Sequence, residues 1–346
     1  MARPTRLTRQ QQRSIRDLIA KHDPLIRQAF EAAIQNAHAA VDFAALVESV
    51  QRNDFDRAAQ LLRFNQAMLW PLEEAIRTAI YAGGATVALP KGIAGAFSFN
   101  GRHPRAEQIV AEMGARLVTE IGSPGPEPIR AIILQGQQER AGTAKTARRL
   151  AGVVNPRTGV REGGILGLDG PRAHRFQQVS QGMSTPEGVQ DLVIKGRDGK
   201  LRLRYTTNIE TRNRIFAAYK KGEAVPAADR ARVEKQFANK LLKERGEMIA
   251  QHETYTAQAQ GRREAYTQLF DSGKVESIDK KWNHQRSKNP RHDHAALDGT
   301  VVGFNEAYEM GDGTMMQYPH DPAGGIKNSA GCGCSVIYMV QYKRPT

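Results

Sequence analysis

The first eighty residues alternate between apolar and polar positions with a helical period. Ile15 and Leu18 begin a series of apolar residues spaced three to four apart, which places them on one face of a helix. Asp23-Pro24 is typical of a helix start, with an N-cap followed by proline at the first helical position. Trp70-Pro71 is typical of a break. The pattern predicts an N-terminal helical region over residues 1–82.

In the middle of the chain, apolar residues again recur at the helical spacing after a segment rich in Gly, Ala and Pro. Residues 83–128 are rich in Gly, Ala and Pro and predict a connector around one helix, from Glu107 to Ile121. Residues 129–274 predict a central helical domain, which starts with two short helices between Pro128 and Leu150. Gly246 is expected to interrupt its last long helical stretch.

One segment of the central domain alternates with a period of two. Two apolar runs flank Asp198-Gly199, which predicts a β-hairpin over residues 193–205 with that dipeptide as its two-residue turn. Lys200, Arg202 and Arg204 then share one exposed face, because successive side chains of a strand point to opposite sides. Such a face could lie along a phosphate backbone, and a solvated strand face fits the same pattern equally well.

The C-terminal part, residues 275–346, is different in kind. Turn residues dominate it, and the apolar run from Val336 to Val340 predicts a strand. The whole pattern predicts an α+β protein. It has a predominantly helical N-terminal and central region, a basic β-hairpin and a small mixed C-terminal module.

Composition and charge indicate the class of partner that the protein could attract. Apolar residues make up 40% of the chain and aromatic residues 6%, which favours packed helices over an aromatic-rich sandwich. The formal net charge is +14, and residues 195–247 hold 15 Lys or Arg against 7 Asp or Glu. Such an excess attracts polyanions, although it also serves solubility alone. Arg212 and Arg214 therefore join the three basic hairpin residues as candidates for nucleic-acid binding.

The chain lacks the apolar stretches that membranes require. No run of about 18 apolar residues occurs, so no membrane span is expected. The first residues are polar and basic without an apolar segment, so no signal peptide is expected. The two cysteines of the protein, Cys332 and Cys334, are separated by one glycine and are poorly placed for a disulfide. We expect synthesis and folding in a reducing cytoplasm.

Candidate chemistry gathers between Trp282 and Cys334. Cys332, Cys334 and His294, with either His292 or His320, could supply a tetrahedral nitrogen and sulfur site, for which Zn is the favoured metal. The C-x-C spacing is tighter than the usual zinc pattern. The alternative is that both cysteines are small buried apolar residues and that His294 hydrogen-bonds a loop carbonyl.

Enzymatic patterns fit less well. A Cys–His nucleophile would need Asp293 or Asp298 to orient the imidazole. An HNH-type nuclease could draw on His284, Asn289, His292 and His294, but these residues are too crowded for a ββα framework.

Two further motif tests fail. His252-Glu253 lacks the second histidine of H-E-x-x-H, since residue 256 is Thr, which excludes a zincin on this motif. We expect Glu253 to pair with a cation such as Arg245 or Arg263. The glycine cluster at 163–170 matches no phosphate-binding pattern and predicts a loop.

Several motifs in the C-terminal half of the chain resemble, in order and spacing, those of a known protein family. A helix with Arg245, Ile249, Ala250 and Glu253 precedes a tract with a Trp, an Arg-x-x-His, a Leu-Asp-Gly, a Tyr-Pro with Asp-Pro, and a Cys-x-Cys. In order and spacing the chain resembles the phage Mu F-like head morphogenesis proteins, the minor head proteins of tailed phages. Gln251-His252 stands for the usual Arg-Thr, and Gly331 and Gly333 replace the Asn and Arg beside the first cysteine. The signature residues are Glu253, Trp282, Arg291, His294, Leu297, Asp298, Gly299, Tyr318, Pro319, Asp321, Cys332 and Cys334.

The resemblance implies a non-enzymatic protein present in a few copies per virion. Its expected partners are the portal protein, the major capsid or scaffold protein, and packaged DNA, which it binds without sequence preference. It would reside in the host cytoplasm during assembly and then inside the virion head, where it would help head assembly, DNA packaging or genome delivery. The alternative from another class is a metal-dependent nuclease or a toxin-like effector that uses the His/Cys cluster.

Overall fold

The structure is a computed structural model that describes residues 6–87, 89, 97–122, 124–285 and 291–343. The helices are α1 (Arg6–Ala40), α2 (Phe43–Arg52), α3 (Phe55–Leu61), α4 (Gln66–Ala85), α5 (Pro104–Ile121), α6 (Pro126–Gln138), α7 (Thr143–Ala151), α8 (Gly170–Gly182), α9 (Pro186–Leu192), α10 (Ile209–Lys221), α11 (Ala227–Asp271), α12 (His292–Ala296) and α13 (Gly325–Ser329). The strands are β1 (Val153–Val154), β2 (Arg161–Glu162), β3 (Val193–Lys195), β4 (Leu201–Leu203), β5 (Val275–Asn283), β6 (Val301–Gly303), β7 (Tyr308–Glu309), β8 (Met315–Met316) and β9 (Ser335–Tyr342). The predicted α+β class, with its mostly helical N-terminal and central region, is confirmed.

Three predicted helix boundaries are wrong. Pro24 lies inside α1, Pro71 lies inside α4, and Gly246 lies inside α11. An interior proline removes one helical hydrogen bond and costs about 3 kcal/mol. In α1 the apolar stripe nevertheless continues past the proline, and Ile26 and Phe30 are fully buried. Because each buried side chain of this size contributes roughly 1.5–3 kcal/mol, packing outweighs the local penalty.

The predicted hairpin is present, but its turn differs. Strands β3 and β4 pair antiparallel, with Lys195 opposite Leu201. The Gly196 N–H donates to the Lys200 carbonyl at 2.9 Å, and the Gly199 N–H donates to the Gly196 carbonyl at 2.9 Å. Gly199 has a φ of 72°, so it is the left-handed residue that follows the turn. The turn therefore centres on residues 197 and 198 rather than on 198 and 199.

The chain divides into two compact units. The first comprises Met1–Phe30, Trp70–Ala115 and Glu247–Thr346, and the second comprises Glu31–Leu69 and Arg116–Gly246. These units group residues by spatial contact, whereas the four predicted segments group them along the chain. None of the helices in the described part of the chain combines the length and the hydrophobicity that a membrane span needs.

In the first unit, a three-stranded antiparallel sheet packs against one end of α11. Its strand order is β6-β5-β9. The α11 residue Tyr266 packs on Tyr338 of β9 with ring centroids 4.1 Å apart. The Gln11 side chain of α1 bonds both backbone groups of Tyr338, donating to its carbonyl at 2.8 Å and accepting from its N–H at 3.1 Å. The Gln11 side chain thus bonds the backbone N–H and carbonyl of Tyr338 in the way that a neighbouring strand would, and it satisfies these buried groups.

The second unit is a helical assembly around a buried ion pair. Helix α6 packs against α7 and α8, and α2 packs against α7. The Arg149 guanidinium lies 2.7 Å from a Glu139 carboxylate oxygen and donates through Nε to Glu234 at 3.1 Å. The Ser180 hydroxyl also donates to Glu234, at 2.6 Å. Burial disfavours the charged guanidinium, but Glu234 and Glu139 outweigh it and raise the pKa of Arg149.

Candidate metal centre

The metal centre lies in the first unit, where the end of β5, the short helix α12 and the loop before β9 meet. Strand β5 pairs with β9 so that Trp282 is opposite Val336, which sets the two cysteines next to the strand end. His294 comes from α12. The Trp282 ring meets the His294 ring edge-on, with centroids 5.7 Å apart, and holds the imidazole in place. The pairing of β5 with β9 therefore positions the two cysteines. Packing of the Trp282 ring against His294 positions the imidazole.

The three candidate ligands lie together and away from solvent. The His294 Nδ1 atom is 3.2 Å from the Cys332 Sγ atom and 3.7 Å from the Cys334 Sγ atom. One ligand atom from each of the three residues lies within 4.8 Å of the other two. His294, Cys332 and Cys334 are 2%, 7% and 2% exposed. The cysteines are not joined in a disulfide. This group could hold a metal ion.

The pKa values of the two thiols are shifted in opposite directions from the ordinary value of a cysteine. A hydrogen bond with Cys334 is the main cause that lowers the pKa of Cys332, against the effect of burial, and His294 and His320 add to the lowering. The same hydrogen bond raises the pKa of Cys334, and burial raises it further. The Gln285 backbone and the Trp282 indole oppose that rise. The lowered pKa of Cys332 favours its thiolate, which is the form that binds metals.

The two further histidine candidates, His292 and His320, differ in burial. His292 is exposed on α12. His320 is 1% exposed and close enough to Cys332 to help lower the pKa of that thiol. Among the described residues, neither ring nitrogen of His320 has a hydrogen-bond partner of ordinary geometry, and the Nε2 atom of His294 also lacks one. From spacing in the sequence, His292 and His320 were equal candidates for a further metal ligand. In the structure His320 is buried and His292 is exposed.

The other signature residues of the module shape its backbone. Arg291 donates to the Ala330 carbonyl at 2.6 Å, which ties α12 to the loop before the cysteines. The Asp298 carboxylate accepts from the His284 N–H at 3.0 Å. Gly299 has a φ of 86°, and its N–H donates to the Trp282 carbonyl at 2.9 Å. Leu297 packs beside the cluster of Trp282 and both cysteines.

The remaining signature residues lie in the next loop and on α11. Tyr318 is in the apolar cluster between α11 and the sheet. The Asp321 carboxylate accepts from the Gln317 N–H at 2.7 Å and from the Ala323 N–H at 3.0 Å, and Pro319 stands between Tyr318 and His320 in this loop. Glu253 is buried on α11, with a carboxylate oxygen 3.8 Å from the His252 Nε2 atom. The two arginines expected to pair with Glu253 are engaged elsewhere, Arg245 with the Gly167 carbonyl and Arg263 with the Phe304 carbonyl.

The candidate carboxylate orienters do not reach the imidazole. Asp293 accepts a hydrogen bond from the backbone N–H of His294 at 2.9 Å, and Asp298 accepts from the backbone of His284. Within the described part of the chain, neither makes a hydrogen bond with the His294 ring. Asn289, a candidate for the nuclease pattern, lies outside the described residues. The observed hydrogen bonds thus give the thiols a histidine neighbour but no oriented base.

Sequence inspection missed a buried lysine next to this centre. Lys280 of β5 is fully buried, and its Nζ donates to the Gln317 carbonyl at 2.7 Å and to the Gln317 side chain at 2.8 Å. Burial, together with the charge of Arg263, lowers the pKa of Lys280 to about 7. The signal was available in the sequence. Lys280 shares the buried face of β5 with Ile278 and Trp282, because alternate residues of a strand point the same way.

The predicted nucleic-acid-binding residues lie in the second unit, and several are already paired. Lys200, Arg202 and Arg204 are exposed, and Arg202 is the one of them that lies within β4. Arg202 makes two hydrogen bonds to the Asp198 carboxylate, at 3.2 and 2.8 Å. Arg204 donates to the Asp191 carbonyl at 3.1 Å. Arg214 lies 2.6 Å from the Asp229 carboxylate, while Arg212 is exposed on the same helix, α10.

Comparison with known proteins gives one distant relationship. No protein-family model and no solved structure matches the chain. The chain is similar to the uncharacterized protein YqbB of Bacillus subtilis (strain 168), with 33% identity over 104 residues. That match covers 29% of this chain and 32% of YqbB, so the chain spans about a third of the length of this relative.

Proposed function

We propose that this protein is a non-enzymatic minor head protein of a tailed phage. In this role it associates with the portal and with the major capsid or scaffold protein, and it lies near packaged DNA. The observation that carries the proposal is the position of the signature residues. Those between Trp282 and Cys334 build the interior and the turns of one small module rather than a solvent-open site. A rigid folded unit serves adhesion and positioning, for which no turnover is required.

Burial of the His/Cys cluster supports a structural role. Each of the three candidate ligands is at least nine-tenths buried, and Trp282 covers them with a fully buried ring. A nuclease must bring a phosphodiester within reach of its metal and of a positioned base. In the part of the chain that the structure describes, Asp293 and Asp298 both accept hydrogen bonds from backbone groups, and neither bonds the imidazole. The geometry favours a clamp over a catalyst.

The clamp is proposed to hold Zn. Around a tetrahedral zinc, bond lengths of about 2.1 Å to nitrogen and about 2.3 Å to sulfur place the two kinds of ligand atom about 3.6 Å apart. The observed distances from His294 Nδ1 to the two sulfur atoms, 3.2 and 3.7 Å, lie on either side of that value. Thiolate and imidazole are the ligands that zinc prefers. Zn would join α12 to the loop before β9 and stabilise the module.

Exposed positive charge supports the position near DNA. The chain has a formal net charge of +14. Lys200 and Arg212 are exposed, and in the described residues no ion pair engages either of them. Non-specific attraction to phosphates needs only such accessible cations. We place the protein in the host cytoplasm during assembly and in the interior of the virion head afterwards.

The test is carried out in phage-producing cells with the tagged full-length chain. We expect the protein to co-purify with portal and to remain in mature virions. His294→Ala should lose zinc and reduce the number of filled heads. The matched control is His292→Ala on the same short helix, where the side chain is exposed, and it should behave as the wild type.

One result would replace the proposal with its rival. Purified wild-type protein is incubated with DNA with and without a chelator. Cleavage that needs metal and that His294→Ala abolishes would identify a metal-dependent nuclease or effector. Absence of the protein from both portal complexes and virions would also contradict a minor head protein.

A further inference from the structure

Three arginines follow one another along the outer side of α1. Arg9, Arg13 and Arg16 are spaced four and three residues apart, which places them on the same face of the helix. At about 100° per residue, Arg13 and Arg16 project within about 40° of the direction of Arg9. The rise of about 1.5 Å per residue spreads their Cα atoms over about 10 Å of the helix axis. We call these three residues the α1 arginine row.

The row lies on the side of α1 that faces away from the core of the first unit. Its three arginines are exposed, whereas Ile15 and Leu18 are 4% and 7% exposed on the opposite side of the helix. Within the described part of α1, Leu25 is the exposed large apolar side chain, and it projects about 160° away from Arg9. Amphipathic helices insert into membranes through an exposed apolar face. In α1 the apolar face packs in the core, and the row offers charge to solvent.

The charges of the row remain available to a partner. Within the described part of the chain, no ion pair and no side-chain hydrogen bond engages any of its three guanidinium groups. The hairpin differs, because Arg202 already bonds the Asp198 carboxylate. Arg9 also lies in the first turn of α1, which has no acidic residue, so the row adds to the positive end of the helix dipole. The row therefore presents a positive potential to its surroundings.

We infer that the α1 arginine row binds the phosphate backbone of double-stranded DNA without reading its sequence. Guanidinium groups match phosphate oxygens through paired hydrogen bonds. Phosphates of one strand recur about every 3.4 Å along the duplex axis, so a row of about 10 Å can face about three of them. Interfaces between proteins depend on aromatic or apolar anchors, and the row supplies only cations. The inference rests on the proposed position near DNA and adds a surface in the first unit to the hairpin of the second.

The test changes all three members of the row to glutamine in the full-length protein. Glutamine has nearly the same helix propensity as arginine, so α1 should persist, and circular dichroism checks that it does. Binding of a short labelled DNA duplex of mixed sequence is followed by fluorescence anisotropy at several salt concentrations. We expect the log–log slope of affinity against salt to become less steep by about 2.7, which is about 0.9 for each of three phosphates. Arg13→Gln alone should reduce the steepness by about 0.9.

Two controls separate the row from net charge. Asp17→Asn removes the exposed carboxylate that follows Arg16 in the chain, and it should strengthen DNA binding. The combined change of Lys21, Arg102 and Lys281 to glutamine removes the same charge from exposed positions elsewhere in the first unit. It should change the slope by less than about 0.9, the value for one phosphate.

The outcomes separate the inference from the proposed function. If the glutamine variant of the row keeps the slope and affinity of the wild type, the inference is overturned. Loss of binding on changing the hairpin residues Lys200, Arg202 and Arg204 to Glu would then leave the position near DNA in place. A wild-type protein that does not bind the duplex would overturn both. Poly-glutamate that binds the wild type more tightly than the duplex, and binds the glutamine variant weakly, would assign the row to an acidic protein and overturn DNA as its partner.

Discussion

In the second unit, Arg149 lies between Glu139 and Glu234, and the three charged groups meet inside the protein. In the C-terminal module, the imidazole of His294 lies beside the thiols of Cys332 and Cys334. Both centres are buried and polar. The first compensates its main charges with its own residues, whereas the second holds thiol and imidazole groups that could bind a metal. Stability of the two regions should therefore respond to different treatments.

The largest effect is expected from Arg149→Met. This change leaves the carboxylate of Glu234 buried beside Ser180 without its cation, which typically costs about 3–5 kcal/mol. Urea unfolding followed by circular dichroism measures the loss. The matched control is Arg52→Met, since Arg52 pairs with Glu48 at the surface with a side chain that is 73% exposed. It should change stability by less than about 1 kcal/mol. An equally small loss for Arg149→Met would show that the buried charges are compensated by other groups.

The next effect is expected from metal removal, and it should be confined to the module. A ligand at about 1,000 times its dissociation constant stabilises a protein by about 4 kcal/mol, so a chelator should lower the melting temperature measurably. Fluorescence of the buried Trp282, in a Trp70→Phe background, reports on the module. Cys334→Ser should abolish the response to chelator, whereas Arg149→Met should keep it. A chelator response that disappears with Arg149→Met would mean that the two centres are coupled.

A smaller effect concerns pH and Lys280. Its pKa in the folded protein is about 7, below the ordinary value of 10.5. Between these values the unfolded chain holds a proton that the folded chain has released, so stability rises with pH from about 7 to 10.5. Below pH 7 both states are protonated and the penalty for the buried charge is complete. Lys280→Met should flatten the pH profile of unfolding. A profile that is identical in both proteins would show that Lys280 is not desolvated.

The smallest effect is expected on DNA binding by the second unit. The triple change of Lys200, Arg202 and Arg204 to Glu should weaken retention of DNA on a filter. It should also reduce the dependence of binding on salt, by about 0.9 in the log–log slope for each phosphate that the protein no longer neutralises. Arg202→Glu alone should do less than Lys200→Glu, because Asp198 already compensates Arg202. Unchanged binding by the triple variant would remove the hairpin face from the proposal.

Local patterns predicted much of the fold because their causes are local. The period of two on either side of residues 196–200 was sufficient for the hairpin, and the Gly and Pro content correctly indicated that α5 is a separate helix with connectors around it. Patterns failed at Pro24 and Pro71, where each breaker lies inside a helix. Propensity is a weak term, and burial of the residues around each proline outweighs it. The turn lies one residue earlier than the predicted position at 198–199. Gly199 has a left-handed backbone, which suits the position directly after the two central turn residues.

Composition and residue spacing set the kind of chemistry available in this protein. Two thiols one residue apart, the histidines near them and a cationic central region are properties of composition and spacing. The choice between His292 and His320 depends on the fold, because the two histidines differ in burial and not in residue type. The fold also decided that Lys280 is enclosed and that Tyr255 of α11 stacks on His320. Desolvation depends on residues far apart in the chain, and no local pattern contains that information.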